Sequence, residues 1–219
     1  MKIKIDEAPV ILNGAPCIGD INKIINPKEF FAPENNLEKI VSMVRKSFGS
    51  EMEVEDIYNH VTFPERIYLL EFDEEILAMA SYSSRNFSGH SVLIGEGAAI
   101  IPEVQANGVF RKITNHNFIN EKFIVGKTQN PHIYRAFQKF CREVYPNSFP
   151  MPNLIKKISY EYAEYLGYKL DDLGIIRGCY GKCLYGNKMP MHKNITKFFE
   201  EDLKMNFEAG DALLLIGVR

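Results

Sequence analysis

The chain has 219 residues, 46% of them hydrophobic and 12% aromatic, enough to bury a sizeable core in one domain with additions. Its 26 Lys and Arg against 28 Asp and Glu give a formal net charge of −2, which lacks the basic footprint a nucleic-acid backbone selects. No apolar run reaches membrane-spanning length, the first residues lack the apolar centre of a secretory leader, and four cysteines do not make a disulfide framework; a reducing cytoplasm is the expected compartment.

In chain order, Ile3 to Ile5 and Val10 to Leu12 are two short β-prone runs, with Pro9 and Gly14 as punctuation. They predict an edge strand and an N-terminal extension. Pro27 to Pro33 reads as a loop. Asn35, with Glu38 three residues on, predicts a helix start of the capping-box kind. Leu37, Ile40, Val41, Val44 and Phe48 repeat at helical spacing up to Gly49, and Glu51 to His60 predicts a second, more polar helix. Arg66 to Phe72 and Ile76 to Tyr82 predict a hairpin turning at Asp73-Glu74-Glu75, and Ser83 to His90 reads as a polar loop.

Ser91 to Ile101 is apolar, carries β-branched residues and glycines, and predicts a buried central strand. Pro102 ends it, because proline donates nothing to a ladder. Gln105 to Gly108 then predicts a tight turn into a helix with Arg111 and Lys112 in its first turn. The N–H groups of a helix start have no intrahelical partners and sit at the positive end of the dipole. Gly108 removes the Cβ that would bar an anion from that backbone. The pattern is that of a phosphate cradle.

The cradle helix contains Asn115, Asn117 and Asn120 and is expected to end near Glu121. Lys122 to Lys127 predicts a compact strand, and Pro131 suits the first turn of a helix whose buried stripe is Ile133, Phe137, Phe140, Cys141 and Val144. Beyond it, Ile155 to Leu166 predicts a helix ended by Gly167. Leu173 to Cys179 predicts a strand that Tyr185 extends past a kink at Gly181. Ile195 to Met205 predicts another helix, and Ala212 to Val218 a terminal strand.

Gln105-Ala106-Asn107-Gly108-Val109-Phe110 resembles the acyl-CoA-binding signature of the GNAT superfamily of N-acetyltransferases, Gln/Arg-x-x-Gly-x-Gly/Ala at a helix start after a strand. Phe110 stands where a small residue is usual. The order of helices, hairpin, central strand and cradle helix is also similar to that family. The resemblance covers about 37–145 and implies one α/β domain over 1–219: a mixed, mostly antiparallel central sheet flanked by helices. Residues 1–36 are then an N-terminal extension and 146–219 an enlarged C-terminal part with late strands and extra helices. It also implies acetyl-CoA or another acyl-CoA as co-substrate, held by Ile100, Ile101, Gln105, Ala106, Asn107, Gly108, Val109, Phe110, Arg111, Lys112 and Asn130.

Glu96 is the carboxylate inside the apolar strand, on the face of Ile94 and Ala98. An apolar setting raises a carboxyl pKa towards useful basicity. The resemblance implies a general base on this strand; the alternative is a solvated or ion-paired strand-end glutamate. Tyr134 is the candidate acid for the departing thiolate, since relatives place a tyrosine on this helix, although the matching position falls on Phe137. It flanks the buried stripe in this reading, and a packing tyrosine is the alternative. Asn130 either contacts the cofactor or forms a turn or cap.

The five histidines show no ligand spacing, and Cys179-x-x-x-Cys183 with His192 lacks a fourth zinc ligand, so no metal is expected. The expected activity is acyl transfer from acyl-CoA to an amine, on a small molecule or a peptide, by direct attack. The rivals are a catalytically silent CoA-binding or partner-binding module, and an aminoacyl or long-acyl transferase on the same fold. Neither nucleic acid nor membrane is an expected partner; a homodimer is compatible with the sequence.

Overall fold

The computed structural model describes residues 1–147, 150–186 and 188–219. It is an α/β structure whose strand pairs are antiparallel wherever their register is defined, with helices flanking the strands. The chain forms two compact units: Met1–Ser83 with Gly95–Ile119, and Ser84–Ile94 with Asn120–Arg219.

The first unit opens with a hairpin, β1 (Lys2–Leu12) and β2 (Ala15–Ile24). Asn13 and Gly14 turn it with φ of 52° and 80°, the left-handed pair that two-residue hairpins favour. The two short runs expected at 3–12 are therefore a single long strand. Pro9 is tolerated because β1 is the edge of the sheet, where a missing N–H costs no ladder bond. Next come β3 (Arg66–Phe72) and β4 (Glu75–Phe87), paired antiparallel, and then β5 (His90–Ile100); the order is β1-β2-β3-β4-β5. Ile67 to Leu70 are all buried, so β3 reads as a continuous apolar run.

Pro27–Phe30, expected as a loop, is one helical turn, α1. In α2 (Glu34–Phe48), Ile40, Val41, Met43 and Val44 are buried, and Gly49 closes the helix at φ 57°. Its start differs from expectation. Pro33 is the N-cap, no side chain caps the helix, and Asn36 instead donates to the Phe30 carbonyl at 2.8 Å. α3 spans Val54–Thr62 and α4 spans Val109–Asn117, four residues short of the expected end near Glu121.

The second unit is built on β9 (Ala212–Val218), buried along its whole length. It pairs antiparallel with β6 (Phe123–Thr128), β7 (Glu143–Tyr145) and the two-residue β8 (Ile175–Ile176). The core joins Phe87, Val92 and Ile94 to Val125, Ile158, Tyr162, Leu214 and Ile216. α5 (Pro131–Phe140) lies close over β9 at Gly217, where a Cβ would collide with the Cys141 thiol and reach within 3.1 Å of the Phe137 ring. α6 (Asn153–Tyr165) and α7 (Lys193–Lys197), which runs into a π turn at Phe198–Asp202, complete the unit.

Five expectations give way here. The Ser83 to His90 loop is the end of β4 and a tight turn at Ser88-Gly89, φ 49° and 77°, because Phe87 enters the core and Glu161 accepts from the Ser88 hydroxyl at 2.7 Å. Cys141 and Val144 leave the α5 stripe, since the backbone is extended at Cys141 and Val144 belongs to β7. The expected 173–179 strand shrinks to β8 because Gly174 and Gly178, at φ 82° and 62°, bend the chain on either side. Tyr185 and Met205 lie outside any strand or helix.

Asp211 ties the loops beside β9 together. Its carboxylate accepts from Arg177 at 2.7 Å and from the N–H groups of Gly178 and Asn206 at 2.9 and 3.0 Å. Burial alone would raise its pKa, but the two backbone N–H groups and Arg177 outweigh burial and lower it. A lowered carboxyl contributes stability that is present above its unfolded pKa of about 3.9 and lost as pH falls through the folded value. Asp211→Ala takes this acceptor from the Gly178 and Asn206 N–H groups, while Arg177 keeps Asp171 and the Lys204 carbonyl, and is expected to cost about 3 kcal/mol at pH 7. At roughly 2–4 °C per kcal/mol, thermal melts should show a drop near 10 °C, shrinking as the pH is lowered past 4.

Candidate functional site

In the first unit, Gly95 to Ala98 of β5 are half-buried and Ala99 is buried. The Gly97 carbonyl accepts from the Ser81 hydroxyl at 3.4 Å, and a Cβ on Gly97 would sit 3.4 Å from the same oxygen. Glu96, half-buried, alternates with these glycines and shares its face with Ala98 and Ile100. The ladder ends where the Ile101 N–H donates to Leu77 at 3.1 Å. Pro102, with no N–H, follows the end of β5 as expected, and it starts a one-turn 3₁₀ helix, Pro102–Val104, that is not among the predicted elements.

The turn that follows is held by its own side chains. Gln105 Nε2 donates back to the Ile100 carbonyl at 2.9 Å, and Asn107 Nδ2 donates to the Val104 carbonyl at 3.2 Å. Ala106 and Gly108 both take left-handed backbone, φ 67° and 74°. Gly108 is the N-cap of α4, and the first helical bond runs from the Lys112 N–H to its carbonyl at 3.0 Å. The N–H groups of Val109, Phe110 and Arg111 therefore have no intrahelical acceptor. Gln105 to Gly108 and Arg111 are exposed, while Val109 is buried and anchors the helix start. Arg111 folds back over the turn, its Nη2 3.9 Å from where a Gly108 Cβ would stand. The positive end of the helix, a glycine and a guanidinium thus converge on one spot, which suits an anion. The residues present fit a phosphate.

Lys112 faces elsewhere. Its ammonium lies 3.1 Å from Asp6 Oδ2 and donates to the Glu7 carbonyl, both on β1. On the inner face of α4, Thr114 donates to the Phe110 carbonyl at 2.7 Å and so accepts from the Tyr82 hydroxyl at 2.8 Å. Tyr82 is wholly buried, and burial pushes its hydroxyl pKa far above the usual value. This Tyr82–Thr114–Phe110 chain fixes the helix start to β4. The sequence offered no signal for it, since both residues read as ordinary packing positions.

Asn130 and Tyr134 lie in the second unit. The Asn130 side chain caps α5, accepting from the His132 N–H at 2.9 Å and donating to the Tyr185 hydroxyl at 2.9 Å. Tyr134 is in the buried stripe with Pro131 and Phe137 rather than beside it. Its hydroxyl donates to the Pro146 carbonyl at 2.7 Å, and its ring meets those of Phe198 and Phe199, both at 5.7 Å. Burial pushes this hydroxyl up to about 12. Among the described residues no cluster of His, Cys, Asp and Glu could hold a metal, and the four cysteines are unpaired thiols. No helix among the described residues is long and apolar enough to cross a membrane.

Tyr134→Phe strands the Pro146 carbonyl in the interior. An unsatisfied buried acceptor costs roughly 1–3 kcal/mol, so the ligand-free melting temperature is expected to fall by several degrees. A melt that matches wild type would place that carbonyl in contact with water.

No family model matches the chain, and no curated protein matches it. Among solved structures it is similar to the ribosomal-protein-S18-alanine N-acetyltransferase from Escherichia coli, at 10% identity and a TM-score of 0.43 over 63% of this chain and 87% of that one. The GNAT domain of S. lividans PAT is similar at 14% identity and a TM-score of 0.44, over 66% of this chain and 91% of that one. The IAA acetyltransferase from Bacillus cereus ATCC 14579 is similar at 12% identity and a TM-score of 0.42, over 91% and 98%.

Proposed function

We propose that this chain is a GNAT-superfamily N-acyltransferase that moves an acetyl or other acyl group from acyl-CoA to an amine by direct attack. One observation carries the reading: β5, the Pro102 turn and left-handed Ala106 and Gly108 deliver the positive end of a helix with Arg111 over it. That is the backbone the six-residue signature of the sequence demands, and it suits the diphosphate of CoA.

In this reading Val109, Phe110 and Arg111 hold the phosphates through backbone N–H groups, and Arg111 adds side-chain charge. Gln105 shapes the turn instead of reaching the ligand, because its amide is engaged by Ile100. The amine nitrogen attacks the thioester carbonyl carbon; the C–N bond forms, the C–S bond breaks and the sulfur leaves as thiolate. Glu96 takes the proton from the attacking nitrogen, directly or through water. The thiolate leaves into solvent; its thiol titrates at about 8.5, so at neutral pH it is protonated by the buffer without an acid from the protein. The Tyr134 hydroxyl already donates to the Pro146 carbonyl inside the Phe198 and Phe199 cluster, which supports a packing role for it in place of the acid role sought on α5. The acceptor is an amine on a small molecule or a peptide.

The cofactor half of the reading is tested by melting the protein with and without CoA. A ligand binding the folded state at a hundredfold excess over Kd adds roughly 2.7 kcal/mol, a shift of several degrees. Gly108→Asn is the informative variant, because asparagine tolerates left-handed backbone while its side chain crowds the N–H groups. It should remove most of the CoA shift at little cost to the ligand-free melt; ATP and NADH should do much less than CoA. A wild-type melt unmoved by saturating CoA removes the assignment.

The chemical half rests on Glu96. Glu96→Gln is expected to lower kcat at neutral pH by ~10²-fold, leaving CoA binding nearly intact, in a free-thiol release assay over an amine panel. Unchanged turnover across the pH range would make Glu96 a structural residue.

A further inference from the structure

Strand β1 carries a β-bulge. The pairing with β2 runs Lys4↔Asn22 and then Asp6↔Ile21, so Ile5 is the extra residue. A bulge re-aims the side chain that follows it. Here it delivers the Asp6 carboxylate to helix α4. Asp6 Oδ2 accepts from His116 Nε2 at 2.9 Å and lies 3.1 Å from Lys112 Nζ, while Oδ1 accepts from the Glu7 N–H at 2.8 Å. Lys112 also donates to the Glu7 carbonyl. Lys112 and His116 are four residues apart and therefore share one face of α4.

We propose that Asp6 is a positioning residue for the phosphate cradle, holding α4 in place through Lys112 and His116 and withdrawing Lys112 from the ligand. This rests on the acyl-CoA reading of the helix start. Arg111 and Lys112 are adjacent in sequence, and both looked equally suited to a phosphate. The structure gives them different work. Arg111 is exposed and lies over Gly108, whereas Lys112 is drawn to β1. The hydrogen bond from His116, then the Glu7 N–H, then Lys112 lower the Asp6 pKa to about 2, so the anchor stays ionised through the physiological range.

The nearest competitors on the hairpin do not displace these donors. Lys4 is engaged by Glu7 at 2.6 Å and by Asp20 at 2.7 Å, so β1 supplies its own counter-charge beside the clasp. Each of the three clasp side chains is about one-third exposed. A single ion pair at that exposure contributes little. What sets this one apart is that a bulged strand and helix α4, from Lys112 to His116 in its last turn, are joined by three side chains and a backbone carbonyl. Their shared effect is position.

Two measurements on the full chain decide the matter. The first is amide hydrogen exchange in the ligand-free protein. Asp6→Asn, which keeps the shape but not the charge, should speed exchange of the hydrogen-bonded amides from Lys112 to Phe118 about tenfold, leaving the β6 and β9 amides as they are. Unchanged α4 exchange overturns the clasp whether or not CoA binds. The second is CoA titration at low and high salt. Asp6→Asn and Lys112→Met should each weaken CoA several-fold, and Lys112→Met should keep the salt dependence of wild type, while Arg111→Ala flattens it. A Lys112→Met variant as salt-insensitive as Arg111→Ala would put Lys112 on the phosphates and overturn the proposal. Failure of wild-type protein to bind CoA at all sinks the acyl-CoA reading, and is seen on a different sample from failure of the clasp.

Discussion

A helix cannot satisfy the N–H groups of its own first turn, and in the first unit much of the local architecture fixes where the first turn of α4 lies. Proline at 102 stops β5, and Gln105 and Asn107 close the turn with amide bonds to neighbouring carbonyls. Two left-handed residues then reverse the chain. Ala106 holds φ 67° without glycine's freedom, at a cost of about 1 kcal/mol, so the turn stores a little strain where the surrounding bonds fix it. The helix that results is pinned on its inner side by the Tyr82–Thr114–Phe110 chain and met on its outer side by β1. Its start is left facing solvent.

The second unit solves a different problem by different means. β9 is buried at every residue and pairs with three strands, so it has to be apolar throughout and needs a glycine where a helix approaches. Gly217 meets that need, with the Cys141 thiol and the Phe137 ring packed into the space a side chain would have taken. Cys141 is thus explained by packing, and burial pushes its thiol up to about 12, which leaves it unreactive. The aromatic cluster of Tyr134, Phe198 and Phe199 belongs to the same interior.

The parts legible in the sequence were those where local chemistry decides alone. The 3.6-residue stripe from Leu37 to Phe48, the β3–β4 hairpin, the Pro102 stop, the Gly108 helix start and the final apolar strand all appear where periodicity or a breaker places them. The Asn13-Gly14 hairpin was missed, although Asn-Gly is a hairpin signal, because a proline at position 9 looks like a break until the strand is known to be an edge. The β4 extension to Phe87 was obscured because Ser83, Ser84, Arg85 and Asn86 form an unbroken polar run before Ser88-Gly89, and such a run resembles a loop. The 141–145 stretch failed for a further reason: Cys141 and Val144 fit a helical stripe and a strand equally well, and only pairing with β9 settles it. Of the candidate site, the cradle was legible because it is contiguous in sequence. Asp6, Tyr82 and Thr114 were not, because each reaches the helix across a gap that no spacing rule records.

Charge placement also sorts the carboxylates near the cradle by what each can do. A useful general base has a pKa near the working pH, and carboxylates held by donors move the wrong way. Asp6 is held down to about 2 by His116, the Glu7 N–H and Lys112. Glu103, in the turn after β5, is lowered by the hydrogen bond from Lys46 at 2.8 Å. Both are ionised at neutral pH and both are weaker bases than an unperturbed carboxyl, so their part is to hold lysines and a histidine in position. Glu96 is set apart by its place on the strand: half-buried, between two glycines that leave room beside it, on the stretch that leads directly into the turn. A glycine on each side removes the neighbouring Cβ atoms, which lie on the opposite face of the strand from the carboxylate. The same glycines make β5 a poor strand by propensity, so its extended form is set by its surroundings and not by these residues.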